Sequence, residues 1–119
     1  EFWAYTQCVI VQHLVGGILC LPAILNLGPQ SIASSLACLG ILNEMGYEIS
    51  DTIGLLYTRF LSPDGKEKVP DAMLAILIVH HSMTTILGLP LVLSYGDNKS
   101  VHWLCFNLQA AAAIALSGP

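Results

Sequence analysis

Two histidines, His80 and His81, stand side by side near the middle of a long apolar run, Asp71 to Tyr95. Together they offer a general base and a nucleophile, provided that a carboxylate orients one ring; histidine activates acyl transfer in this way. Neighbouring helical positions lie about 100° apart, so the bisector of the two rings falls near Thr84, and Thr85 and Gly88 continue the His81 side. The carboxylates come from the preceding run, where Ala33, Ala37, Gly40, Glu44, Glu48 and Asp51 trace one stripe at helical spacing. A face built for close packing therefore runs on into three acids. Asp51 is the expected partner of a catalytic histidine, His80 or His81, while Glu44, Glu48 and Thr84 are the expected lining of a substrate site. His13, in the first apolar run, joins that lining.

The same residues leave two other chemistries open. His13 facing His80 or His81 across two helices is the ligand pattern of a haem-binding membrane electron carrier. Acids and histidines in file would equally suit the path of a transporter or channel subunit. No metal site is expected. Cys8, Cys20, Cys38 and Cys105 lie singly in apolar runs, without zinc-site spacing, and read as reduced packing residues. Four histidines are too few for the clusters of a di-iron desaturase.

Such residues need helices to carry them, and the composition places those helices in lipid. Of 119 residues, 55% are hydrophobic and only 10% charged, which bounds the chain to one domain and reads as a membrane protein. A net charge of -4 without a basic stretch excludes a nucleic-acid partner. As a helix, Asp71 to Ser94 would cover roughly 36 Å against a bilayer core of about 30 Å. The two imidazoles then sit near the midplane, where an ionisable group costs on the order of a few kcal/mol unless it faces protein or trapped water.

The first span reads from Ala4 to Leu27. Its His13, Gly16, Gly17 and Cys20 share one face suited to close helix packing, and Asn26, Gly28 and Pro29 supply the turn that ends it. A link this short returns the second helix antiparallel, from a cap at Ser31. That helix, Ser31 to Leu61, would be roughly 46 Å long, so it must tilt, leave the bilayer or break at Gly46 or Ser50. Ser62 to Lys68 is a solvated turn, Pro70 suits a first helical position and Asp71 a first-turn acid. Arg59, Lys66 and Lys68 put the 59–70 loop on the cytosolic side. The last run, Val101 to Ser117, has Trp103 at the interface and His102 solvated at its start. Asn98-Lys99-Ser100 is a glycosylation sequon, but too close to the bilayer to be modified. The expected fold is all-α: a multipass transmembrane bundle of about four membrane helices, with a break in the second as one way of fitting its length. Opening at Glu1 without a Met and stopping at Pro119 as an apolar run finishes, the chain reads as an excerpt of a longer protein.

Several of these segments resemble the TLC domain, the membrane domain shared by ceramide synthases, TRAM-type translocation factors and lipid-sensing or lipid-trafficking proteins. Gly46-Tyr47-Glu48-Ile49-Ser50-Asp51 is similar to the family's Gly-Tyr segment leading to an Asp at a helix end. Val79-His80-His81-Ser82-Met83-Thr84 is similar to its double-His motif with Thr three residues on, and Ser94-Tyr95 with Asn98 to the loop that follows. The resemblance spans about Ser31 to Gln109. It implies that residues 1–119 are part of one TLC-like transmembrane domain, truncated at both ends, in the endoplasmic reticulum or another endomembrane. It further implies a cavity for a membrane lipid or fatty acyl chain, with His80 and His81 facing it and Asp51 nearby. If the protein is an enzyme, the implied reaction is acyl transfer with acyl-CoA as co-substrate and no other cofactor. Where the family's synthases carry a His-Asp and further acids in the next helix, this chain has Phe106-Asn107-Leu108-Gln109, which cannot act as bases. The resemblance is therefore to a member outside the ceramide synthases, one that binds or senses lipid.

Overall fold

A computed structural model of the chain describes residues 2–118, and every regular element among them is a helix: α1 (Phe2–Leu25), α2 (Gln30–Leu61), α3 (Gly65–Lys68), α4 (Asp71–Tyr95) and α5 (Lys99–Ser117). Three of them, α1 over Tyr5–Leu25, α4 and α5, are long and apolar enough to cross a membrane. The fourth long helix, α2, is more polar because three acids and Arg59 lie between residues 44 and 59. It runs unbroken for 32 residues, or about 48 Å. This corrects the expected break: Gly46 and Ser50 both continue the helix. A single glycine costs a helix only about 1 kcal/mol, and the neighbouring turns are held by packing on either side.

Turn chemistry sets the helix ends. At the end of α1, Asn26 takes φ 55° and the Leu27 N–H reaches back 2.8 Å to the Pro22 carbonyl. A left-handed residue followed by this 6→1 bond is a Schellman stop, and Gly28 at φ 77° completes the reversal. The cap of α2 is Pro29, not Ser31, and its carbonyl accepts from both Ile32 and Ala33. Pro70 likewise stands one residue before the first turn of α4, not within it. The Ser62–Lys68 link holds the short α3. Gly65 there lies so close to the end of α2 that a Cβ would collide with the Arg59 carbonyl oxygen. Arg59 closes the same end by an ion pair with Asp71 and a 3.1 Å bond to the Val69 carbonyl.

Close packing orders the long helices. Tyr5 meets Asp51, His13 meets Glu44 and Gly16 meets Gly40, so each step up α1 is a step down α2. A Cβ on Gly40 would lie 2.8 Å from the Gly16 carbonyl oxygen, and one on Gly16 would lie 2.9 Å from the Gln109 side chain. The small-residue face of α1 is thus used twice, against α2 and against α5. Cys20, Ala23, Ile24, Ala33 and Ala37 form the core on one side of this seam, with Cys105 and Phe106 packed on it. α4 lies antiparallel along the other flank of α2, with Thr52 opposite His81 and Met45 opposite Gly88. From edge to edge the order is α5, α1, α2, α4 in a thin slab of 52 × 31 × 17 Å. Consecutive in sequence, α4 and α5 make no extended contact with one another. They meet only near their link, where Leu91, Val92 and Cys105 pack on Ile41, Met45 and Val101.

Candidate functional site

The divergence of α4 from α5 leaves a cleft of about 410 Å³. Its floor is α2, through Ile41, Glu44 and Glu48, with His13 from α1. Met83, Leu87 and Leu91 of α4 form one wall; Leu104, Leu108 and Gln109 of α5 form the other. Thr84 and His80 complete the α4 side. No lysine or arginine lines it; all four sit at helix ends or links. A larger, open recess of about 760 Å³ beside the α4–α5 link holds Ser34, Ser35, Cys38, Asp97 and Asn98, but no imidazole.

Glu44, Glu48 and Asp51 occupy successive turns of α2, and each meets a different histidine. The His13 Nδ1 lies 3.3 Å from Glu44 Oε1, His80 Nε2 3.6 Å from Glu48 Oε1, and His81 Nε2 3.8 Å from Asp51 Oδ2. All three acids therefore face the bundle, as the small-residue stripe implies. Burying a carboxylate is costly unless it is paired, and a facing imidazole supplies the partner. Glu48 is 3% exposed, so its carboxyl is nearly closed off beneath His80.

The two adjacent histidines part company, correcting the expectation that both face one pocket with Asp51. Their ring centroids are 5.6 Å apart and the planes are tilted by 56°. His81 is 8% exposed and hydrogen-bonded at Nδ1 to Thr52 Oγ1 at 2.8 Å, with Asp51 near Nε2 but beyond hydrogen-bond reach. It pins α4 to α2 and does not line the cleft. Asp51 also accepts the Tyr5 hydroxyl at 3.0 Å, so this knot ties three helices. His80, its side chain 63% exposed, stands at the cleft edge above Glu48. Thr84 lines the cleft but donates its hydroxyl to the His80 carbonyl at 3.2 Å within its own helix. A one-position step on a helix turns a side chain by about 100°, which suffices to send neighbours to different partners.

A second knot was not foreseen. Gln109 Nε2 donates to Glu44 Oε2 at 3.2 Å, and its Oε1 lies 2.8 Å from His13 Nδ1. Gln109 thus clasps α5 to α1 and α2 at the level of the acids. Its signal was a lone amide amid alanines and leucines; in lipid such a group needs an internal partner. His102 is likewise corrected: it is fully buried, not solvated, with Nε2 2.7 Å from the Gly96 carbonyl at the end of α4. Asn98 of the sequon caps α5, its Oδ1 accepting from Ser100 N at 2.8 Å. Among the described residues no group of three or more His, Cys, Asp or Glu is placed to hold a metal ion.

No family model, curated protein or solved structure matches the chain.

Proposed function

We propose that the chain forms a multipass helical bundle in an endomembrane, of the TLC type its motifs resemble, and holds a lipid acyl group in the cleft between α4 and α5. One observation carries this reading: apolar walls, the buried acids Glu44 and Glu48 and the imidazoles facing them converge on a single cleft. Binding sites for small ligands combine mostly apolar walls with a few convergent polar groups in this way. Ionisable groups at membrane depth mark functional sites by default. The outward faces of α4 and α5 carry Ile76, Val79, Ile86, Leu93 and Ile114 exposed, which suits contact with lipid tails. α2 is the fourth crossing, longer than a bilayer core of about 30 Å, so its Arg59 end reaches the cytosolic link. With carboxylates in its floor and no cation in its lining, the cleft suits an acyl group that is esterified or amidated over a free fatty acid. The chemistry such a site would perform is acyl transfer.

The test is a photoactivatable acyl lipid placed in nanodiscs with the purified protein, with cross-linked residues read by mass spectrometry. Labelling at Leu87, Leu104 and Leu108 is expected. Labelling confined to the outward residues Ile76, Ile86 and Ile114 would overturn the reading.

A further inference from the structure

Of the imidazoles available to this cleft, one is held ready for proton transfer. We propose that His13 is the general base of acyl transfer in the cleft, with Glu44 and Gln109 as its positioning residues. The inference rests on the reading that the cleft holds an acyl group. Its ground is the hydrogen-bond circuit around the ring. His13 Nδ1 faces two acceptors, Gln109 Oε1 at 2.8 Å and Glu44 Oε1 at 3.3 Å. Both accept, so Nδ1 must carry the proton, which leaves the lone pair of a neutral ring on Nε2. Gln109 Nε2 in turn donates to the other Glu44 oxygen at 3.2 Å, which fixes both acceptors. Among the described residues Nε2 makes no hydrogen bond or ion pair, and the ring lines the cleft.

A ring fixed in tautomer and orientation by a buried carboxylate, with its second nitrogen toward a substrate space, is the arrangement of a general base. The other candidates lack it. His81 is hydrogen-bonded to Thr52 through Nδ1 and lies off the cleft, so neither of its nitrogens faces the substrate space. His80 is largely exposed, and its only carboxylate contact, 3.6 Å, is longer than a hydrogen bond.

In the step itself an acceptor O–H or N–H gives its proton to Nε2 as its heavy atom bonds to the acyl carbonyl carbon. The tetrahedral adduct then collapses, the bond from that carbon to the leaving oxygen or sulfur breaks, and the leaving group takes the proton back from Nε2. Acyl group, proton and electron pair are all accounted for, and the ring returns to its starting state.

The decisive variant is His13→Asn, because the Asn amide nitrogen stands where Nδ1 stands. The bonds to Gln109 and Glu44 are kept and only the base is lost. Full-length protein in nanodiscs is assayed for release of p-nitrophenolate from the p-nitrophenyl ester of a medium-chain fatty acid, with water as acceptor and protein-free nanodiscs as blank. Photoactivatable acyl lipid labelling of each variant is run in parallel. The expected result is wild-type turnover above the blank, with kcat reduced at least about 100-fold in His13→Asn, unchanged KM and unchanged cleft labelling. Added imidazole should restore part of the rate in His13→Ala. Turnover retained in His13→Asn overturns the role of His13 and leaves the acyl site standing. Cleft labelling without wild-type turnover overturns the base and leaves a lipid-binding site. Absence of both turnover and cleft labelling removes the acyl site and this inference together.

Discussion

Replacing Gly40 and Gly46 by alanine, one at a time, should shift stability in opposite directions, although both lie in the middle of α2. In a helix interior the change from glycine to alanine is favourable by roughly 1 kcal/mol. A Cβ on Gly46 meets nothing within 4 Å, so Gly46→Ala should realise most of that gain. On Gly40 the new Cβ would stand 2.8 Å from the Gly16 carbonyl oxygen, against an ordinary contact that begins at 3.4 Å. The obstacle is backbone, so α1 and α2 must separate by about 0.6 Å, the difference of those two distances. Overpacking of this kind costs about 1–3 kcal/mol, which offsets the propensity gain of roughly 1 kcal/mol and leaves Gly40→Ala destabilised by up to about 2 kcal/mol. The separation also pulls His13 away from Glu44, one turn along each helix from the contact. Unfolding by sodium dodecyl sulfate in mixed micelles, followed by circular dichroism, measures both variants against the wild type. Equal shifts of the same sign would refute the close α1–α2 crossing and, with it, the geometry of the site.

The remaining expectations concern the knots. Gln109→Leu keeps the volume but strips donors from buried Glu44 and the acceptor from His13; about 1–3 kcal/mol should be lost, and a double-mutant cycle with Glu44→Gln should show non-additivity. His102→Ala, at a fully buried ring, should cost about 2–4 kcal/mol in the same unfolding assay, whereas His80→Ala, at a mostly exposed ring, should stay within about 0.5 kcal/mol of wild type. Asn98→Ala removes the α5 cap and should cost about 1 kcal/mol, visible as faster amide hydrogen exchange at Ser100.

Much of this was legible before any coordinates. Gly16, Gly17 and Gly40 announced a close crossing because small residues at helical spacing serve little else in lipid. The continuity of that stripe with Glu44, Glu48 and Asp51 correctly turned the acids inward. Spacing on one helix, however, does not say which residue of another helix it meets. His80 and His81 looked like one pair; crossing geometry made them two, each with its own acid. Gln109 looked like a missing acid because it was read in isolation, when its role depends on His13, 96 positions away. His102 looked wet because it begins a helix, but the turn folds it back beneath the Gly96 carbonyl. The unbroken α2 shows that length alone does not break a helix whose neighbours support it.

The order in which the helices pack also shapes how the chain assembles. α4 settles against α2 soon after it is made, but α5 finds its seat on α1, across the whole intervening chain. Contacts of such long sequence separation form late and slowly. Until α5 docks, His13 and Glu44 stand without their amide partner Gln109, a costly half-built state for groups that end up buried. Anything that occupies the seat on α1 early, such as an assembly factor or a foreign helix, would compete with α5 and decide whether the cleft is ever completed.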